Sequence, residues 1–95
     1  MDEPGGISIT MDITAPTVVK ASPGRVAIVA FYPTSGQVAY GSIHNCSSTG
    51  AVAEANKIFD SASNAAKTSV SLQMPCDQGI VAVPGSNTRM IVTYT

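Results

Sequence analysis

The residues best equipped for chemistry in this sequence lie in two short stretches, His44 with Cys46 and Cys76 with Asp77. A cysteine nucleophile needs an imidazole within hydrogen-bond reach and a third group that orients this base. On a strand, residues two apart share a face, so His44 and Cys46 can meet. Asp77 is the one carboxylate placed to approach them. The same four residues offer donor types that zinc accepts, yet their spacing matches no recognised zinc arrangement such as paired C-x-x-C. The reading adopted has no catalytic residue, no metal and no cofactor. In it, His44 caps the end of a strand and the two thiols stay reduced and pack as small apolar groups. A disulfide between Cys46 and Cys76 is left open.

Other chemical signatures fail in the same way. Asp2, Glu3, Asp12, Glu54 and Asp60 are scattered and form no acid/base couple. The glycines form neither G-x-G-x-x-G nor a phosphate loop. Most of them punctuate expected turns, and only Gly41 falls inside an expected strand, where a bulge or a close backbone approach is the usual reason. The aromatic residues are Phe31, Tyr32, Tyr40, Phe59 and Tyr94, with no tryptophan, which weakens a sugar-stacking reading. Tyr40 is the best surface candidate among them.

The elements that must position these residues read as strands. Ile7, Ile9, Met11 and Ile13 alternate with Ser8, Thr10, Asp12 and Thr14, the period of a half-buried strand. Thr17 to Ala21 is a short second strand, and Ser22-Pro23-Gly24 suits a type II turn with Gly24 at the positive-φ position. Val26 to Tyr32 is a continuous apolar run suited to a strand covered on both faces. Pro33-Thr34-Ser35-Gly36 is expected to reverse the chain, so that Gln37 to Ile43 returns as its hairpin partner. Val70, Leu72 and Met74 alternate with Ser69, Ser71 and Gln73. Gly79 to Val83 and Thr88 to Tyr94 are expected to form a last hairpin around Pro84-Gly85-Ser86-Asn87. Between them, Ala51, Val52, Ala55, Ile58, Phe59 and Ala62 recur at helical spacing. Residues 51–62 therefore read as a short helix, with a long polar crossover containing a further strand as the competing reading, because Asn56, Asn64 and several serines are poor helix formers. The fold class is all-β, a compact antiparallel sandwich or barrel of about seven strands. Residues 1–6 form an N-terminal arm and 7–95 the single domain. The arm is suited to pairing with a neighbour's sheet edge, so Asp2, Glu3, Pro4, Ile7 and Tyr40 are the interface candidates.

Composition narrows the partners. The 95 residues suffice for one core. Only 12% of them are charged, about half of what soluble domains carry, while 11 Ser and 9 Thr fill the polar share. A formal net charge of −1 gives no field to steer a polyanion, which argues against nucleic acid. No apolar run reaches the length of a membrane span, and MDEPGG lacks the basic and apolar regions of a secretory signal, so synthesis in the cytoplasm is expected. A sparsely charged surface near neutrality is poorly protected against self-association, which favours a chain covered by partner subunits.

The stretch TVVKASPGRVAIVAFYPTSGQVAYGSIHN, an Ala/Asn-rich crossover and then GIVAVPGSNTRMIVTYT together resemble a group of small virion proteins of tailed bacteriophages. The shared pattern is a "GR" strand, a turn, a "G-x-I-x-(D/N)" strand and a closing "G-(I/L)-V-V-x-P-G…VTY" segment, and it covers roughly Thr17 to Thr95. The resemblance implies no catalytic residues. It implies a head-associated structural protein, made in the host cytoplasm and carried on the virion: a capsid decoration (cement) protein bound to the major capsid protein, as a homo-oligomer. A tail, collar or head-fibre module is the alternative within the group, and the lack of a fibre-like extension in the sequence favours decoration. A free-standing ligand- or carbohydrate-binding β domain is the alternative from another class.

Overall fold

The computed structural model describes residues 8–34, 39–60 and 68–95. Eight strands run in chain order: β1 (Ser8–Ile13), β2 (Thr17–Lys20), β3 (Gly24–Pro33), β4 (Gly41–His44), β5 (Lys57–Asp60), β6 (Thr68–Cys76), β7 (Ile80–Pro84) and β8 (Thr88–Tyr94). They form two four-stranded antiparallel sheets of order β1-β8-β3-β6 and β2-β7-β4-β5. The fold is thus an all-β sandwich. Its first strand pairs with its last, the second with the seventh, the third with the sixth and the fourth with the fifth. This nested pairing, wrapped into two sheets, is jelly-roll connectivity.

The strand positions follow the hydrophobic pattern, but the pairing does not follow sequence proximity. β3 and β4 lie in different sheets, as do β7 and β8. The expected hairpins of 26–32 with 37–43 and of 79–83 with 88–94 are therefore replaced by corners that cross the core. Residues 35–38 of the first turn lie outside the described residues. Burial drives the difference: adjacent strands placed in opposite sheets bury their apolar residues against each other, whereas a hairpin would align them side by side. Val29, Phe31, Ile43, Ile80, Met90 and Val92 are fully buried in this shared interior, each worth about 1.5–3 kcal/mol of transfer free energy. Phe31 and Phe59 meet across it with ring centroids 5.9 Å apart.

Three further expectations are corrected. Gly24 has no positive φ and opens β3 directly. What demands glycine there is space, because a Cβ would lie 2.5 Å from the Thr95 carbonyl oxygen. Residues 51–60 contain no α-helix; 3-10 turns at Thr49–Ala51 and Glu54–Asn56 lead into β5, which is the crossover reading with its extra strand. The helical spacing rested largely on alanines, and Ala51 and Ala55 are exposed because a methyl group gains little by burial. Pairing with β4 then satisfies the backbone of 57–60. Finally, the apolar face of β1 is split. Met11 and Asp12 together stand opposite one residue of β8, with Asp12 at φ 61°, so a bulge turns Ile13 into the core and leaves Ile9 and Met11 outside. Ile13 is 2% exposed, against 56% for Ile9 and 59% for Met11.

Gly41 shows how closely the two sheets approach. A Cβ on it would lie 2.8 Å from the Val83 carbonyl oxygen, 2.9 Å from Met90 Sδ and 3.1 Å from the Phe31 ring. Gly41→Ala is expected to destabilise the domain by about 1–3 kcal/mol through overpacking. Gly50→Ala, where the added methyl meets nothing within 4 Å, is expected to change stability by less than about 0.5 kcal/mol. Urea unfolding of the two variants checks this; equal midpoints would contradict the packing described.

Candidate functional site

The sandwich gathers its polar side chains in one place, on the side of β4 away from the core. Strand alternation puts Gly41 and Ile43 inward and Ser42 and His44 outward. Nevertheless Ser42 is 8% and His44 3% exposed, because the segment after β4 folds back over this face. Val81, paired with His44, is fully buried without belonging to the core cluster, which marks the same cover.

The contacts define a single arrangement. His44 Nδ1 lies 2.9 Å from Asn56 Oδ1 and 3.1 Å from the Ala53 carbonyl oxygen, and Nε2 lies 2.9 Å from Ser42 Oγ. Asn56 donates from Nδ2 to the Ala51 carbonyl oxygen at 2.8 Å and accepts at Oδ1 from the Ala53 backbone N–H at 3.1 Å, which fixes the orientation of its amide. Both partners of Nδ1 are then acceptors, so Nδ1 carries the proton and the Ser42 hydroxyl donates to Nε2. Asn45 extends the network. Its N–H donates to the Asn56 carbonyl oxygen (2.8 Å), its side-chain amide donates to Asp77 Oδ1 (2.8 Å), and its Oδ1 accepts from the Gln78 N–H (2.9 Å). Among the described residues no buried side-chain nitrogen or oxygen lacks a partner.

Ser42, His44 and Asn56 thus stand in the relation of hydroxyl, base and orienting group that nucleophilic catalysis uses. A nucleophile must also reach a substrate atom at about 3 Å. Ser42 sits mid-sheet, paired with Asp60 of β5 on one side and Val83 of β7 on the other, and is buried with its hydroxyl on His44. The arrangement therefore ties the crossover to the sheet. His44 stands at a strand end, but its partners are Ser42, Ala53 and Asn56 rather than Cys46, whose thiol donates to the Ser48 carbonyl oxygen at 3.5 Å. Among the described residues no group of three His, Cys, Asp or Glu side chains is placed to hold a metal ion. Cys46 and Cys76 are free and buried. Burial foremost, then the Asp77 charge and then Cys46, raises the Cys76 thiol above its ordinary pKa.

Of the interface candidates, Asp2, Glu3, Pro4 and Ile7 lie outside the described residues. Tyr40 is half-buried and holds the corner between β7 and β8. A Cβ on Gly85 would fall 2.2 Å from its ring, its carbonyl oxygen accepts from the Gly85 N–H at 2.8 Å, and its hydroxyl oxygen accepts from the Ser86 N–H at 3.2 Å. Ser42, Asn45 and Asn56 were not singled out as site residues from the sequence. The available signal was two asparagines flanking a Ser-rich crossover, since asparagine side chains that bond nearby backbone favour turns over helix.

The opposite face of the molecule carries a second feature. Cross-strand pairing and alternation put Ile9 and Met11 of β1, Ile91 of β8, and Ile28 and Ala30 of β3 on the outer side of the β1-β8-β3-β6 sheet, with Thr93 of β8 between Ile9 and Ile28. Ile28, Ala30 and Ile91 are half-buried and Ile9 and Met11 exposed. Arg89 lies over the Tyr32 ring, 5.4 Å from its centroid, at one end of this stripe. Comparison with known proteins found no matching family profile, no matching curated protein and no matching solved structure.

Two outcomes test the polar cluster and the thiols. Asn56→Ala strips an acceptor from His44 and a donor from Ala51, and is expected to cost about 1–3 kcal/mol, read as a lower urea midpoint with the fold retained by circular dichroism. For Cys76, the raised pKa means that the unfolded thiol ionises first as pH climbs. Stability is therefore kept below the ordinary thiol range and lost above it. A urea midpoint that falls as pH climbs through the ordinary thiol range and above it, flattened in Cys76→Ala, is the expected result.

Proposed function

We propose that this chain is a structural virion protein, a capsid decoration (cement) protein that binds the outer surface of a bacteriophage head and stabilises it. Its partners in this reading are the major capsid protein and further copies of itself. The observation that carries the reading is the apolar outer face formed by Ile9, Met11, Ile28, Ala30 and Ile91 on a sheet whose inner face already builds the core. An apolar cluster left on the outer face of a small domain, interrupted only by Thr93, suits a surface that another protein covers. The resemblance of Thr17 to Thr95 to small phage virion proteins gives this covering protein its class. Jelly rolls serve in viral capsids and also in lectins and cupins, so the connectivity is compatible with the reading without choosing it.

The physical logic is mass action. A protein that binds the assembled shell and not its separated subunits stabilises the assembled state. Many copies on a lattice accumulate a large effect from modest individual contacts. A rigid sandwich, closed at its corners by contacts such as Tyr40 on Gly85, loses little entropy on docking.

Co-sedimentation with purified heads stripped of their accessory proteins tests the proposal. Saturable binding, together with a higher temperature for head disruption, is the expected outcome. Binding to isolated tails but not heads would move the chain to a tail or collar role, and a specific glycan-array signal with no head binding would replace the proposal with carbohydrate recognition.

A further inference from the structure

Among the described residues the sandwich has four edge strands, β1, β6, β2 and β5. Exposed edges invite pairing with other chains, and proteins blunt them with charges, proline, bulges or brevity. Two of these four are short and carry charge, and a third is blunted toward its C-terminal end. β2 is four residues long and ends on Lys20. β5 is four residues long and carries Lys57, whose Nζ lies 3.1 Å from both Glu54 and Asp60. β6 contains Pro75 and has Gln73 at φ 52° within a bulge against β3. β1 differs. From Ser8 to Met11 it has neither charge nor proline, it is in regular register with β8 through Thr10, and its two large apolar side chains are the most exposed among the described residues. Its bulge and its one charge, Asp12, come only at the far end.

The spacing within β1 makes it self-complementary. In an antiparallel pair of identical strands related by a two-fold axis at Thr10, Thr10 faces its own copy, Ile9 faces Met11 of the second chain and Met11 faces Ile9. Residues directly opposite share a face, so the four apolar side chains form one cluster on the outer side of the joined sheet, continuous with Ile28, Ala30 and Ile91. Asp12 leaves the extended pairing at the bulge (φ 61°), and the two-fold axis puts the two copies of it at opposite ends of the contact, so no like charges meet. A two-fold contact of this sort uses one patch on both partners and closes after two copies.

We infer that β1 is a homodimer edge: two copies of this chain join antiparallel through Ile9–Met11 about Thr10, merging their β1-β8-β3-β6 sheets into one. Pairing over so short a strand buries much less than the ~1,200 Å² of a stable interface. The dimer is accordingly weak in dilute solution and fills when copies are concentrated or held side by side. The inference deepens the self-association part of the proposed function without needing the shell, and its test is done on the protein alone, so that head binding and dimerisation succeed or fail separately.

The test is sedimentation of the full chain from about 10 μM to 1 mM, a range that spans weak affinities, together with cysteine cross-linking. The expected result is reversible dimerisation that weakens at least about tenfold in Ile9→Lys and in Met11→Lys, since each variant sets a cation against an apolar partner. Both side chains are exposed, and circular dichroism checks that the variants fold. Thr10→Cys is expected to give a disulfide-linked dimer under mild oxidation, because the axis brings that residue against itself within disulfide range. Ser71→Cys on β6 is expected to remain monomeric, and buried Cys46 and Cys76 stay out of the reaction. A monomer at 1 mM (about the weakest affinity the range reaches), dimerisation indifferent to both lysines, or cross-linking of the Ser71→Cys variant in preference to the Thr10→Cys variant, would each overturn the inference.

Discussion

The structure depends on one interior shared by two sheets, with the chain passing from sheet to sheet at almost every connection. Only β4 and β5 are neighbours both in sequence and in hydrogen bonding. Every other pair of consecutive strands is split between the two sheets, and the strand ends and turns bring backbone close to backbone or ring. Gly24 packs under the Thr95 carbonyl oxygen, Gly41 under Phe31 and Met90, and Gly85 under Tyr40. At Gly41 a Cβ would push the two sheets apart, and at Gly24 and Gly85 it would displace the adjoining backbone or ring, because the density of protein interiors leaves no slack to absorb it. The buried Phe31, Ile43, Met90 and Val92 depend on those approaches as much as on their own hydrophobicity.

The strands were legible in the sequence, and their partners were not. Alternation at 7–13 and 69–74 and the apolar run at 26–32 report the local environment of each strand, which a period of two captures. Pairing is a non-local property. The hairpin rule joins neighbours across a short turn, and nothing in Pro84-Gly85-Ser86-Asn87 tells a turn within one sheet from a corner between two. The bulges were equally hidden. Asp12 and Gln73 adopt positive φ, which costs a residue with a Cβ about 1–2 kcal/mol, and the alternation on either side of them gives no sign of it. Gly41 was legible as a close approach, since glycine inside a strand has few other uses.

The crossover at 51–60 failed for a different reason. Alanine scores as apolar in a periodicity count but buries almost nothing, so the helical stripe had little area behind it. Asn56 decides the matter by offering the Ala51 and Ala53 backbone a side-chain partner and by binding His44, which makes the tight turns competitive with helix. Ser42 and His44 were hard to place for the same reason: whether a polar residue on the outer face of a strand is exposed depends on what folds back over it, and in this chain the cover comes from residues 45–56.

That cover makes the two outer faces unlike each other, and the asymmetry bears on function. One sheet's outer face holds hydrogen-bonding side chains at Ser42 and His44, and these are sealed under the crossover with their partners supplied. The other holds Ile9, Met11, Ile28, Ala30 and Ile91, and these remain in contact with water to different degrees. Burying polar groups costs free energy unless each is paired, whereas apolar groups accept any dry neighbour. A domain selected for stability alone would place them the other way round, with polar groups in water and apolar ones beneath the crossover. The observed order gains little for the isolated chain. It becomes favourable once a second protein surface dries the apolar side, because the stripe then adds to burial and the sealed polar network keeps the opposite face rigid. Under the proposed function, that drying surface is supplied by the neighbours of the chain.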